Sequence, residues 1–253
     1  MSAGARPART HPQPRVCVLM ATHDGLPWLG QQIDSILGQT GVEVELLVSD
    51  DQSTDGTWEW LQERAAQDAR IVLLPRTRRF GSAAANFYRL LGAADTRRFP
   101  LFAFADQDDV WHPGKLARQA EIIEQQAVDG VSSNVVAFWH TGRRKLIRKA
   151  QPQRRFDYLF EPPGPGCSFL MRASLVERCV ALFAALGRVG LEPLPKHDWL
   201  VYLVARRGGG RWFIDALPSL DYRQPAHNEV GANVGLRAVL RRRQNGSDLS
   251  LDG

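Results

Sequence analysis

Short apolar runs alternate along the first half of the chain with segments whose apolar residues recur at helical spacing. Each run has the length and side chains of a buried strand, and each longer segment places apolar residues three and four positions apart. Strands that alternate with helices in this way favour an α/β fold with a mostly parallel sheet. We predict strands at residues 16–20, 44–49, 71–74 and 101–105 and helices at 28–37, 57–66, 83–91 and 113–126.

The second half is less regular. Residues 131–139 predict one further strand, and residues 141–166 form a basic connection rich in Pro and Gly. Such long connections are often functional. Helices are predicted at residues 173–186 and 198–206, and a strand at residues 211–215.

The same pattern predicts one main domain. We expect residues 1–15 to be a flexible tail and residues 16–235 a single domain, followed by a basic segment at 236–253. Within the domain, residues 16–130 would form a nucleotide platform and residues 131–235 the acceptor side.

Two of the predicted strands end directly in carboxylates. Asp106, Asp108 and Asp109 follow one strand, and Asp50 and Asp51 follow another. Parallel strands bring such ends to one crevice, and carboxylates with a diphosphate are the ligands that Mg²⁺ and Mn²⁺ favour. Solvated turns that cap the following helices remain an alternative.

Composition sets wide bounds. The 253 residues are 44% hydrophobic and 23% charged, which is ordinary for a globular protein, and apolar runs stay below the ~18 residues of a membrane span. Cys17, Cys167 and Cys179 lack metal-site spacing and fit buried thiols in a reducing compartment. We predict a cytoplasmic protein.

The net charge of +5 comes largely from arginine clusters. These clusters are compatible with nucleic acid, with lipid headgroups or with ligand phosphates, and equally with a solvated surface. In the stretch 235–243, Leu236, Val239 and Leu240 alternate with arginines, so this stretch either rests on the inner face of a membrane or forms a plain solvated helix.

Seven short motifs occur in a fixed order between residues 16 and 235. Together they resemble the family 2 glycosyltransferases of the GT-A fold, and most closely their rhamnosyltransferase-like branch, which builds cell-surface polysaccharide. The motifs are residues 20–25, 32–39, 49–56, 106–108, 166–168, 197–199 and 222–224.

The resemblance implies a nucleotide-sugar site, with dTDP or UDP as the nucleotide. Thr22, His23, Asp24 and Asp51 would hold the nucleobase, and Asp51 would accept a hydrogen bond from the uracil or thymine imide. A surface histidine in a loop is the alternative for His23.

The resemblance also implies the reacting groups. Asp106 would lie near the ribose and diphosphate, Asp108 would ligate Mg²⁺ or Mn²⁺, and Asp109 would cap or orient the site. Asp198 would be the general base, which is compatible with its capping a helix. His197 would position that base.

Three departures from the family pattern affect the details. Gln52 stands where the family usually has Gly, and His23-Asp24 where it usually has Tyr-Asn. After Tyr222-Arg223-Gln224 the family commonly has His, whereas this chain has Pro225 and then His227. Arg223 is expected to pair with phosphate, and His227 is a weaker candidate.

We therefore expect an inverting, metal-dependent glycosyltransferase that acts on a saccharide or a lipid-linked saccharide, with dTDP-rhamnose as the favoured donor. A non-catalytic protein that binds sugar nucleotides or polysaccharide is the alternative on the same fold. A nucleotidyltransferase would leave residues 197–199 without a role. A nucleic-acid-binding protein is disfavoured, because the basic clusters lack interleaved aromatic residues.

Overall fold

The computed structural model describes residues 12–186 and 196–224. Within these residues the chain forms two β-sheets and six α-helices. The strands are β1 (Arg15–Thr22), β2 (Glu43–Asp50), β3 (Ile71–Leu73), β4 (Leu101–Ala105), β5 (Val110–Trp111), β6 (Gly130–Ser133), β7 (Val135–Phe138), β8 (Arg144–Ile147), β9 (Leu170–Arg172), β10 (Trp212–Asp215) and β11 (Leu220–Arg223). The helices are α1 (Leu26–Leu37), α2 (Thr57–Gln67), α3 (Ala83–Ala93), α4 (Lys115–Gln126), α5 (Ala173–Leu186) and α6 (His197–Arg207).

The larger sheet has seven strands in the order β10-β6-β9-β4-β1-β2-β3. All neighbouring pairs are parallel except those of β9, which is antiparallel to both β4 and β6. The two strands that end in carboxylates, β2 and β4, lie on either side of β1 and finish at the same edge. The prediction of a mostly parallel α/β sheet is confirmed.

Both faces of this sheet are covered by helices, which explains why its central strands are apolar without a break. Val16, Val18 and Met20 of β1 face the core under α1, α2 and α4, whereas Cys17 and Leu19 face the core under α3, α5 and α6. Successive side chains of a strand point to opposite faces, so one strand contributes to two cores.

The helices present the apolar faces that their spacing predicted. Leu29, Ile33 and Ile36 of α1 are fully buried against one face of the sheet, and Phe87 and Leu90 of α3 against the other. The predicted helices agree with α1 to α6 to within a few residues at each end.

The single strand predicted at residues 131–139 is wrong. The chain forms β6 and β7 on either side of Asn134, and the two strands belong to different sheets. The Asn134 Oδ1 accepts hydrogen bonds from the backbone N–H groups of Lys149 (2.6 Å) and Ala150 (2.9 Å). These hydrogen bonds fix the backbone at the point where the chain passes from one sheet to the other. The connection predicted at 141–166 contains β8 and a 3₁₀ turn at Asp157–Leu159.

The second sheet has the order β5-β11-β7-β8 and crosses the carboxyl edge of the first. Its strand β11 pairs with β5, which directly follows the acidic turn, and with β7. This pairing places Arg223 beside Asp108 and Asp109. In the described residues, no helix has the length and apolar character needed to span a membrane.

Candidate functional site

A cavity of about 520 Å³ opens at the carboxyl edge of the large sheet. Asp24 and Asp198, two of the predicted site residues, lie outside its lining. The predicted residues that line it are Thr22, His23, Asp51, Asp106, Asp108 and Arg223.

Asp50 is fully buried and lies beside Thr22 and Asp51, which line the cavity. Its carboxylate accepts hydrogen bonds from the Thr22 hydroxyl (3.1 Å) and from the Ser53 hydroxyl and backbone N–H. The Arg76 guanidinium lies 3.2 Å from the same carboxylate. Asp50 thus joins the end of β1, the turn after β2 and the loop after β3.

Asp51, the next residue, holds that loop over the cavity. Its carboxylate accepts hydrogen bonds from the backbone N–H groups of Phe80 and Gly81. Arg79 lines the cavity, and its guanidinium lies 3.4 Å from the His23 ring. The sequence allowed ligand phosphates, nucleic acid, lipid headgroups or solvent as the surroundings of this arginine cluster, but nothing in its pattern predicts a loop folded back onto an aspartate.

The turn after β1 is locked to the acidic turn by one side-chain amide. Gln107 accepts a hydrogen bond from the His23 N–H (2.9 Å) and donates one to the His23 carbonyl oxygen (3.0 Å). A Cβ atom on Gly25 would overlap the Gln107 amide, so the glycine makes room for this pairing. Asp24 accepts a hydrogen bond from the Thr54 N–H (2.7 Å) and closes the turn; its contact with a nucleobase stays a prediction.

The acidic turn after β4 also lines the cavity. Burial raises the pKa of Asp106, and the nearby charge of Asp108 raises it further. Burial likewise raises the pKa of Asp109, which is fully buried, and its Oδ2 has no hydrogen-bond partner among the described residues. These carboxylates are therefore held close together with little compensation from the protein.

Arg223 clamps this turn from β11. Its backbone N–H donates to the Asp109 Oδ1 (3.1 Å), and its Nε donates to the Asp108 carbonyl oxygen (2.7 Å). A further guanidinium nitrogen donates to the Gln31 side chain (2.9 Å). Pairing with phosphate stays a prediction for Arg223, whereas fixing the acidic turn is what its contacts show. His227 lies outside the described residues.

Two buried groups next to the acidic turn, Cys167 and Lys115, were not predicted from the sequence as part of the site. The ligand atoms of Asp106, Asp109 and Cys167 lie within 4.8 Å of one another. Burial raises the pKa of the Cys167 thiol, which keeps it protonated, so the carboxylates are the better ligands for a hard cation. Lys115 is also buried; burial lowers its pKa to about 7, and its ammonium lies 3.9 Å from the centre of the Trp111 ring.

Asp198 is the second residue of α6 and follows His197. It is buried, and burial raises its pKa, whereas the backbone N–H of Trp199 acts in the opposite direction. That N–H donates to the Asp198 Oδ1 at 2.7 Å. The charge of Asp198 also raises the pKa of Asp106, so the predicted base is electrostatically coupled to the acidic turn.

His197 is packed between the cavity wall and the chain before β9. Its ring stacks on Phe87, which lines the cavity, with ring centres 3.8 Å apart. Burial lowers the pKa of His197 to about 3, so the ring is neutral at physiological pH. A Cβ atom on Gly166 would lie 2.6 Å from the His197 Nε2 and 3.3 Å from the Asp198 Cβ, so only glycine fits that approach.

Comparison with known protein families matches this chain to one of them. The family model described as glycosyl transferase family 2 covers residues 17–179, which is most of the described chain. The chain belongs to glycosyl transferase family 2. The resemblance inferred from the motifs is thereby confirmed, and so is the prediction of a glycosyltransferase.

Two relatives extend the match. This family 2 chain is 36% identical over 225 residues to the dTDP-rhamnosyl transferase RfbG of Shigella flexneri, covering 88% of this chain and 77% of that protein. It is 33% identical over 154 residues to the UDP-Glc:alpha-D-GlcNAc-diphosphoundecaprenol beta-1,3-glucosyltransferase WfgD of Escherichia coli, covering 60% and 57%.

Solved structures show the same fold. The S. aureus TarS 1-349 structure in complex with UDP superposes with a TM-score of 0.62 at 15% identity, covering 83% of this chain. The Pyrobaculum calidifontis mannosyltransferase PcManGT, in complex with GDP-Man and Mn2+, gives 0.57 at 18% identity over 88%. This family 2 chain spans 60% and 62% of those two chains. The prediction of a GT-A fold is confirmed.

Proposed function

We propose that this chain is an inverting, metal-dependent glycosyltransferase of cell-surface polysaccharide synthesis. It moves a sugar from a nucleotide diphosphate to a saccharide or lipid-linked saccharide. One observation carries the proposal: a single cavity is lined both by Thr22, His23 and Asp51 and by the acidic turn with Asp106 and Asp108. A nucleotide diphosphate carries the two kinds of group that these residues would contact, a base and charged phosphates.

Rhamnose from dTDP-rhamnose is the favoured donor. Its support is the RfbG relative, whose name states that donor and which matches most of this chain. UDP-sugars remain the second choice, because one hydrogen bond from a pyrimidine imide to Asp51 is the same for uracil and thymine. A lipid-linked acceptor is supported by the WfgD relative, which acts on a diphosphoundecaprenol-linked sugar.

The residues present fit Mg²⁺ or Mn²⁺. Asp108 would hold the cation with help from Asp106, since partly buried carboxylates whose pKa values are raised by desolvation gain from a positive charge nearby. When bound, the cation offsets negative charge on the departing diphosphate. Arg223 keeps the carboxylates in place through its contacts with Asp108 and Asp109.

Asp198 would take the proton of the acceptor hydroxyl. That hydroxyl oxygen then bonds to the anomeric carbon while the bond to the diphosphate breaks, which inverts the configuration. Burial raises the affinity of Asp198 for a proton, and the Trp199 N–H holds its carboxylate in one orientation. Neutral His197, the residue before it, is held by stacking on Phe87, which would fix the start of α6.

The first test is thermal stabilisation by nucleotides. We expect dTDP with Mn²⁺ to raise the melting temperature of the wild type, and UDP to do so less. Asp108→Ala should lose the Mn²⁺-dependent part of the stabilisation, because the ligand that lines the cavity is gone.

The matched control is Asp34→Ala. This aspartate pairs with Arg64 on the surface and has a side chain that is 70% exposed. It should respond to dTDP and Mn²⁺ as the wild type does. Equal stabilisation of wild type and Asp108→Ala by Mn²⁺ with nucleotide would remove Asp108 from the cation site, and no response to dTDP or UDP would overturn the proposed donor.

A further inference from the structure

Three apolar side chains within a stretch of five consecutive residues are exposed to solvent. Phe156 is 49% exposed, Leu159 is 51% exposed and Phe160 is 73% exposed. We call these three residues the apolar ridge. Single exposed apolar residues are common on protein surfaces, whereas a contiguous set marks a surface that meets a partner or a membrane.

The apolar ridge is held outward by hydrogen bonds behind it. The Trp199 Nε1 donates to the Tyr158 carbonyl oxygen at 2.7 Å, and Arg206 lies 3.2 Å from the Asp157 carboxylate. Arg206 also donates to the Arg154 carbonyl oxygen at 3.0 Å. The segment is therefore anchored to α6 through its polar groups and through Tyr158, which is buried. Its exposed apolar residues are not explained by poor packing of a loose loop.

The segment that carries the apolar ridge is basic. Residues 143–161 contain seven Lys and Arg residues and two acidic residues, and of these cations Arg144 pairs with Asp221 and Lys149 with Glu161. The Arg155 guanidinium lies 5.0 Å from the centre of the Phe156 ring, so positive charge and apolar surface are adjacent. Positive charge is attracted to anionic headgroups, and apolar side chains gain free energy by entering the boundary between headgroups and acyl chains.

We propose that the apolar ridge and its basic neighbours dock the protein on an anionic lipid bilayer. A second copy of the chain fits less well, because a symmetric contact through this surface would bring two strongly basic segments together. The lipid surface satisfies both the charge and the apolar side chains.

The position of the ridge relates membrane docking to the sugar transfer. This relation is the part of the inference that rests on the proposed function. The segment contacts α6 through Trp199, the residue next to the proposed base Asp198. A lipid-linked acceptor would therefore be displayed near the helix turn that holds the base. Binding to lipid itself needs no donor, cation or acceptor.

The test is cosedimentation of the full chain with phosphatidylcholine vesicles, with and without phosphatidylglycerol. We expect binding only to the anionic vesicles, and a decrease in binding as salt is added. The ridge variant Phe156→Ser/Leu159→Ser/Phe160→Ser should bind ~10-fold more weakly. The charge variant Arg154→Gln/Arg155→Gln should bind more weakly at low salt.

Leu217→Ser is the matched control, because Leu217 is 55% exposed and lies outside the ridge. It should bind as the wild type does. The proposal is overturned if the wild type ignores anionic vesicles or if the ridge variant binds them equally well. It is also overturned if the ridge variant changes only the oligomeric state in gel filtration. Stabilisation by dTDP, measured on the same variants, checks the fold and tests the proposed function separately.

Discussion

Two groups of carboxylates in and around the cavity have opposite surroundings: Asp50 and Asp51 at the end of β2, which we call the base end, and the acidic turn after β4 with Asp198, which we call the acidic end. At the base end, Asp50 and Asp51 accept hydrogen bonds from hydroxyl and backbone N–H groups, and Asp50 is also paired with Arg76. At the acidic end, burial raises the pKa values of Asp106, Asp109 and Asp198, and fewer donors compensate.

The carboxylates of the base end hold the structure of the site together, whereas those of the acidic end have fewer hydrogen-bond donors within the protein. A buried charge is costly unless it is paired and hydrogen-bonded. At the base end the protein supplies the partners itself, so the structure there is complete before a ligand arrives. At the acidic end a cation, a diphosphate and an acceptor hydroxyl would complete the pairing, which is the behaviour expected of reacting groups.

The largest expected effect lies at the acidic end. Asp198→Asn keeps the shape of the side chain and the hydrogen bond from the Trp199 N–H, but it cannot take a proton. We expect turnover with a sugar nucleotide to fall by ~10²- to 10⁴-fold, while stabilisation by dTDP is unchanged. Steady-state kinetics and thermal shift on one preparation measure both.

The pH dependence sharpens this prediction. The base must be deprotonated to act, and burial raises the pKa of Asp198. Wild-type turnover should therefore decrease on the acid side of its profile at a higher pH than an ordinary aspartate would give. Residual turnover in Asp198→Asn that retains the same acid limb would assign the limb to another group.

The next effect lies at the base end and is one of stability. Asp50→Ala leaves Arg76, Thr22 and Ser53 without their shared acceptor, and should lower the free energy of unfolding by about 3 kcal/mol. Urea unfolding measures it. Asp34→Ala, which breaks a surface pair, should cost less than about 1 kcal/mol. If the two variants cost the same, the base end is not the prebuilt structure described above.

The smallest expected effect concerns the position of α6, which carries Asp198. Gly166→Ala would place a methyl group 2.6 Å from the His197 Nε2, and α6 must shift to accommodate it. We expect about a tenfold loss of turnover. Gly92→Ala is the control, because nothing lies within 4 Å of its new Cβ and a helical alanine should stabilise α3 by ~1 kcal/mol. Unchanged turnover in Gly166→Ala would show that the position of Asp198 tolerates displacement.

Sequence patterns predicted the parts of the fold that are long and regular. β1, β2 and β4 are apolar because they are buried on both faces, and the helices between them keep their spacing, so both were visible. The break at Asn134 was not visible, because β6 and β7 are short and almost continuous in sequence, and the Asn134 side chain marks their division only through hydrogen bonds to a distant backbone. β5, β9 and β11 have two to four residues each, too few to show a period.

For the site, the motifs located acidic residues but not their contacts. Asp106 and Asp108 line the cavity as their positions at the end of a strand suggested. The contact of Asp51 with Phe80 and Gly81 depends on a loop that approaches from elsewhere in the chain. A sequence pattern does not show which backbone N–H groups will donate to a given side chain. Buried Lys115 was missed for a similar reason: its position in α4 gives no sign that a lysine would be enclosed.

Gln107 is the uncharged middle residue of the acidic motif. Few other side chains could make both of its hydrogen bonds. It donates to and accepts from the same residue, His23, as a neighbouring strand would. Glutamate has the length but cannot donate, lysine and arginine cannot accept, and asparagine is one methylene shorter. Deamidation of this single side chain would therefore remove the hydrogen bond to the His23 carbonyl oxygen and leave one hydrogen bond, from the His23 N–H, between the two turns.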